Sequence, residues 1–188
     1  MNMFDEYSMM DPGLLAEFVG FTDSEVEALC QAYQIDYQEM KRWYDGYQFG
    51  NLHIYSPKSV VDSLLHGRFS NYWTATETYE ALKIYIEMDF HGLKDSILTM
   101  LGNGRCKINP RTFQNDITSF RNRDDVLTLL LHLGYLAYDI SSQETFIPNQ
   151  EIAYEFENAV ESGGWKNIAD ALRRSEELLK KTKSISVS

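Results

Sequence analysis

Cysteine, proline and long apolar runs are all scarce in this chain, and each scarcity removes a class of protein. Only Cys30 and Cys106 occur in 188 residues, far apart and without a CxxC partner, which excludes a disulfide framework and a thiolate zinc site. Cys30 shares an apolar stripe with Val26, Leu29 and Tyr33 and reads as a small core residue. The longest uncharged apolar run, Val126 to Tyr138, contains His132 and is too short to cross about 30 Å of hydrocarbon. Met1 to Met10 carries Asp5 and Glu6 and no basic residue, unlike a secretory or mitochondrial leader. These features predict a cytoplasmic protein with no membrane partner.

Signatures of chemistry are missing as well. A phosphate loop needs GxxxxGK[ST], whose amides and lysine meet the phosphates. The nearest strings, Gly102-Asn103-Gly104-Arg105 and Ser162-Gly163-Gly164-Trp165-Lys166, lack both the spacing and the hydroxyl, and read as turns. His53, His66, His91 and His132 show no HxH, HxxxH or HExxH spacing, so no metal site is expected. His66 reads as a charge at a helix C-terminus and His132 as a partly buried helix residue. Glu39-Met40-Lys41 matches the ExK pair of a nuclease core, with Asp23 or Asp36 upstream. Yet Tyr37, Met40 and Tyr44 recur at helical spacing, so Glu39 and Lys41 would project to different faces. No catalytic residue, metal ligand or cofactor is assigned within this chain, and it is not expected to be an enzyme.

The composition that remains is that of a globular protein, 44% apolar and 24% charged, long enough to bury roughly 70% of its unfolded surface. Charge is uneven: residues 1 to 90 hold 15 acidic and 5 basic side chains, whereas residues 91 to 188 hold 13 and 12. The first part should repel nucleic acid. Between Arg105 and Arg123 the balance reverses, with Lys107, Arg111 and Arg121 against Asp116 alone, the one stretch suited to a phosphate backbone. Arg173, Arg174, Lys180, Lys181 and Lys183 share a helix with Glu176 and Glu177, where i, i+4 pairs explain them as helix support.

Helix signals dominate. Thr22 caps a helix over Asp23 to Tyr33, with Glu25 at the capping-box position. A second runs from Asp36 to Asp45 and stops at Gly46. Leu52 to Tyr55 is extended, and Ser56-Pro57 opens a helix through Leu65 that closes near Gly67. Thr76 to Met88 places Tyr79, Leu82 and Ile86 on one side with Trp73, and Leu93 to Leu101 ends at Gly102 and Gly104. Helices over Pro110 to Phe120 and Asp124 to Leu133 then lead into a strand Tyr135 to Ile140, a turn Ser141 to Glu144 and a strand Thr145 to Ile147, before a helix from Asn149 to Val160.

The densest stretch is Trp43-Tyr44-Asp45-Gly46-Tyr47-Gln48-Phe49-Gly50. Two glycines among so many rings imply positive φ or a close backbone approach, with the aromatics packed around them. With Tyr55-Ser56-Pro57-Lys58-Ser59-Val60-Val61, it resembles the WYDGYxFG and YNPxSV motifs of bacterial AAA-ATPase-like proteins that carry a PD-(D/E)XK-type nuclease domain. Met10-Asp11-Pro12 with Gly20 to Val26, Leu133-Gly134-Tyr135-Leu136-Ala137-Tyr138-Asp139 and Phe146-Ile147-Pro148-Asn149-Gln150-Glu151-Ile152 resemble further family signatures in the same order. The resemblance spans roughly residues 10 to 175 and implies the middle of such a protein, between a nucleotide-binding half and the nuclease.

The fold class implied is mainly α, a helical bundle followed by a winged-helix-like subdomain with a small β-hairpin. Residues 1–104 would form the lid-like subdomain, 105–160 the winged-helix-like one, and 161–188 a C-terminal helix and tail. Its role would be that of a non-catalytic scaffold, docking the ATPase core and nuclease domain or a second copy of itself. ATP and magnesium are implied only for the nucleotide-binding half. Trp43, Tyr44, Asp45, Gly46, Tyr47, Phe49, Gly50, Tyr55 and Pro57 would form the motif or docking face; family members often carry a basic residue where Gln48 stands. The alternative is a winged-helix nucleic-acid-binding module using the basic stretch 105–123, with Arg111, Arg121 and Arg123 on phosphates. Its expected wing tip, Ser141 to Glu144, carries no basic residue.

Overall fold

A computed structural model describes residues 13–50, 52–73, 78–88, 90–113 and 120–161. Among these residues the chain is mainly helical, with seven α-helices and two small three-stranded antiparallel sheets. After a 3₁₀ segment, Gly13–Phe18, come strand β1 (Phe21–Thr22), α1 (Asp23–Tyr33), α2 (Tyr37–Tyr44), β2 (Tyr47–Phe49), β3 (Leu52–Tyr55) and α3 (Pro57–His66). The second part holds α4 (Thr78–Ile86), α5 (Leu93–Leu101), β4 (Cys106–Lys107), a 3₁₀ turn Pro110–Thr112, α6 (Arg123–His132), β5 (Ala137–Asp139), β6 (Glu144–Phe146) and α7 (Gln150–Val160).

Local chemistry explains most boundaries. The Glu25 carboxylate accepts from both the backbone N–H and the hydroxyl of Thr22 at 2.8 Å, fixing the start of α1. Asp36 accepts from Glu39 N at 3.1 Å, and Asn149 accepts from Ile152 N at 3.0 Å, so α2 and α7 begin on side-chain caps. Gly67 ends α3 with a φ of 62°. The expected helix from Pro110 does not run on: Pro110–Thr112 makes one 3₁₀ turn, and Phe113 is already extended at φ −72°, ψ 127°. Pro110 pre-sets the first turn, but Asn109 closes on Arg111 N and ties the segment into a local loop. Positions 114–119, the rest of that expected helix, lie outside the described residues, as does the expected C-terminal helix with Arg173 and its neighbours.

The first sheet gains two strands beyond the expected Leu52 to Tyr55, and the second gains one beyond the expected hairpin. β3 pairs with both β1 and β2, and β6 pairs with both β4 and β5. The order is therefore β1-β3-β2 in one and β4-β6-β5 in the other.

Two apolar clusters form the interior. Val26, Cys30, Met40, Tyr44, Tyr55 and Val60 fill the first, under α1, α2 and α3. Leu82, Ile97, Leu130, Tyr135 and Phe156, with their neighbours, fill the second, so α4 and α5 share a core with α6 and α7. The division expected after residue 104 thus falls inside the second cluster. Helix α6 is buried from Asp125 through Leu131, consistent with its near-continuous run of apolar side chains. Of the helix sides expected to face inward, Leu82 and Ile86 are buried, with Trp73 packed against them.

Candidate functional site

The aromatic octapeptide spans the end of α2 and all of β2. Tyr44 is fully buried; its hydroxyl donates to the carbonyl of Ser70 at 2.8 Å and accepts from the Ser70 amide at 3.1 Å. Burial pushes its phenol well above the ordinary tyrosine range. Trp43 packs on Tyr154 of α7, with ring centroids 5.5 Å apart. Asp45 is buried, accepts from Gly46 N at 2.6 Å, and holds both carboxylate oxygens 3.0 Å from His53 Nδ1. Lys41 Nζ lies 3.8 Å from Asp45 and 3.3 Å from Asp23, and Tyr55 donates to that same Asp23 oxygen at 2.5 Å. A polar chain therefore runs from His53 to Tyr55 along one side of the sheet. The Tyr55 phenol is raised by burial first and by the Asp23 carboxylate second.

Gly46, at φ 127°, leaves this network for the second half of the molecule. A Cβ placed on it would stand 2.0 Å from the carbonyl oxygen of Pro148. Tyr47 reaches across and donates its hydroxyl to the carbonyl of Gly134. A Cβ on Gly134 would lie 3.3 Å from the Trp73 ring, which sits edge-on to Tyr135 at 5.1 Å. Ser59, on α3, donates to Glu151 at 2.7 Å across 92 residues of sequence. The other oxygen of Glu151 accepts from the amides of Tyr72 and Trp73 at 2.7 and 2.9 Å, and Asn71 donates to Glu155 one turn on. Burial holds the Glu151 carboxyl above the ordinary glutamate range, although its three donors pull the other way. One continuous seam thus joins the octapeptide, Gly134 and the segment Pro148 to Glu155.

Beside the seam lies an apolar cleft of about 270 Å³, with Val19, Phe49, Pro57, Trp73 and Leu133 among its walls. Of the residues expected on a docking face, Tyr47, Phe49, Tyr55 and Pro57 line this cleft, whereas Tyr44 and Asp45 are buried and the half-buried Trp43 packs on Tyr154. Gly50, at φ 63°, has open space around its Cβ position. With Gln48 it edges a second, larger depression of about 500 Å³, where Tyr138, Asp139 and Phe146 form the far wall. There Arg105 stacks over the Phe146 ring at 4.1 Å and pairs with Asp139 at 3.2 Å.

The basic stretch is arranged differently from a phosphate-binding row. Arg123 uses its guanidinium internally, donating to Asp124 at 3.0 Å, Ser96 Oγ at 3.0 Å and the carbonyl of Lys107 at 3.1 Å. It staples the start of α6 to α5 and β4. Arg111 and Arg121 are exposed on either side of positions 114–119, and the Arg121 amide donates to Asp125 at 2.9 Å. Gly102-Asn103-Gly104-Arg105 closes the C-terminus of α5, where Gly104 N bonds to Thr99 O at 2.8 Å. The polarity there is wrong for phosphate, since a helix C-terminus presents carbonyls, and these residues do not fit ATP. The other glycine-rich string, 162–166, lies outside the described residues.

Glu39 and Lys41 sit on helix α2 and bond in different directions, Glu39 to Arg42 and Lys41 to Asp23. His66 Nδ1 donates to the carbonyl of Asp62 at 2.7 Å and its ring stacks on Tyr72, and His132 stacks on Phe113. The Asp45–His53 pair and the Glu151 hub escaped sequence reasoning. The only hint of either was a histidine two residues short of Tyr55 and an acid in the first turn of α7. Among the described residues no group of three or more His, Cys, Asp or Glu side chains is placed to hold a metal ion.

Comparison with family models, with curated proteins and with solved structures gives no match to this chain.

Proposed function

We propose that this chain is a non-catalytic docking module, the lid-like helical unit and winged-helix-like unit of an AAA-ATPase-like protein held together as one rigid piece. The seam carries this reading. Three stretches chosen for their family resemblance, Trp43 to Gly50, Leu133 to Asp139 and Phe146 to Ile152, meet at Gly46–Pro148 and Tyr47–Gly134. Such a body passes on a push or rotation because close-packed interiors have little compressibility. The order α6, β5, β6, α7 supports the winged-helix-like name for the second half. The partners in this reading are a nucleotide-binding ATPase core, which would hold ATP and magnesium, and a nuclease domain. A second copy of the chain is the competing partner.

The nucleic-acid reading draws less support, because Arg123 spends its guanidinium on Asp124, Ser96 and Lys107. Calorimetric titration with magnesium and ATP, and separately with short duplex DNA at low salt, tests the assignment. Heats of dilution alone are expected in both. ATP binding would place a phosphate site in this chain and overturn the proposal. DNA binding that disappears in Arg121→Ala and Arg123→Ala would replace it with the nucleic-acid module.

A further inference from the structure

We infer that the apolar cleft beside the Gly134 turn seats a basic amphipathic helix from a partner chain; this rests on the docking reading and names the chemistry of the partner. Four observations carry it. First, the apolar surface continues out of the cleft. Pro57, in its wall, begins an exposed stripe on α3 that repeats at Val61, 40% exposed, and Leu65, 68% exposed. Eight residues of helix carry that stripe about 12 Å, so cleft and stripe together match the i, i+4, i+7 anchors of a docked helix.

Second, the cleft's size suits a side chain. Its volume of about 270 Å³ lies below the usual range of small-molecule sites, about 300–1,000 Å³, and has room for one large apolar anchor. Val19, 49% exposed, and Leu133, 43% exposed, stand at its rim.

Third, the central strand at the cleft offers no free edge to an extended peptide. β3, whose Ile54 and Tyr55 line the cleft, has both sides occupied by β1 and β2, and β2 comes close to β5. A helix satisfies its own backbone and needs none.

Fourth, the charge on this half is acidic and incompletely neutralised. Residues 13 to 73 hold eight acidic and four basic side chains. Lys41, Arg42 and Lys58 are tied to Asp23, Glu39 and Asp62. Among the described residues Glu17, Glu25, Glu27 and Asp36 enter no ion pair, against Arg68 alone of the four bases, and Glu17 adjoins the exposed Phe18 and Val19. A second copy would bring the same net charge of −11 and be repelled, whereas lysines or arginines flanking an apolar face would be drawn in.

The test uses three fluorescent peptides against the full chain: an amphipathic leucine–lysine helix, its leucine–glutamate counterpart, and a leucine–lysine peptide of scrambled order. Anisotropy should rise with the first alone, weaken several-fold between low and physiological salt, and weaken at least about tenfold in Leu133→Asp and Val61→Asp. Both variants should melt like the parent by circular dichroism. Equal binding of the scrambled peptide, or binding indifferent to either substitution, would overturn the inference as general charge attraction. If no peptide binds but the chain dimerises in a way Leu133→Asp abolishes, docking stands and the occupant is a second copy. If no peptide binds and the chain stays monomeric at high concentration, the occupant and the docking reading both fall.

Discussion

Gly46 lies so close to Pro148 that a Cβ on the glycine would stand 2.0 Å from the proline's carbonyl oxygen and 2.8 Å from its Cα. Backbone meets backbone there, so nothing flexible can move aside. Gly46→Ala should therefore cost about 3 kcal/mol or more. Gly50→Ala, with positive φ but open space around it, should cost only about 1 kcal/mol. Urea unfolding of the two variants separates steric from conformational need, and equal losses would contradict the seam.

Glu151 should behave as a buried three-donor hub. Glu151→Ala leaves the hydroxyl of Ser59 and the amides of Tyr72 and Trp73 without an acceptor, a loss of roughly 2–3 kcal/mol. Glu151→Gln keeps one oxygen for the two amides and an NH₂ for Ser59, and should cost far less. Because burial raises this carboxyl's pKa, its contribution is complete below the ordinary glutamate value and declines as pH rises through the raised one. Thermal melts across mildly acidic to neutral pH should show that decline in the parent protein and its absence in Glu151→Gln.

Asp139 titrates in the opposite sense. The Ser141 hydroxyl at 2.6 Å and the amides of Ser141 and Ser142 hold its carboxyl down to about 2. What it adds to the β5–β6 turn is present above the ordinary aspartate range and is lost as pH falls towards 2. Carboxyl-carbon NMR should find it among the last acids to protonate, and Ser141→Ala should bring its midpoint back up.

Arg123 and Arg121 should part company. Arg123→Ala removes three hydrogen bonds, two of which join α6 to α5 and β4, and about 1–2 kcal/mol of stability should go with them after allowance for its partial exposure. Arg121→Ala should leave the unfolding midpoint within about 0.5 kcal/mol of the parent. Chemical denaturation decides between a structural Arg123 and a solvated one.

Much of the fold was legible in the residues. Thr22, Asp36, Asn149 and Gly67 mark helix ends because a cap is a contact over three or four residues. Cys30 and Met40 follow the 3.6-residue period into the first core. The hairpin of β5 and β6 was visible as two short apolar runs about a polar turn. By contrast β1 and β4, two residues each, carry no period to detect. β2, lodged between Gly46 and Gly50, is a strand only because β3 lies alongside it.

What the chain determines by itself is therefore whatever depends on near neighbours: helix starts and stops, the positive φ of Gly46 and Gly50, and the acidic bias of its first half. Tertiary structure alone decided that Ser59 meets Glu151 over 92 residues, that Arg123 reaches Ser96 and Lys107, and that Val19, Pro57 and Leu133 rim one cleft. The physical reason is range. Capping and periodicity act within a turn or two of backbone, whereas hydrogen bonds and apolar packing act between whatever surfaces the folded chain brings within a few ångströms.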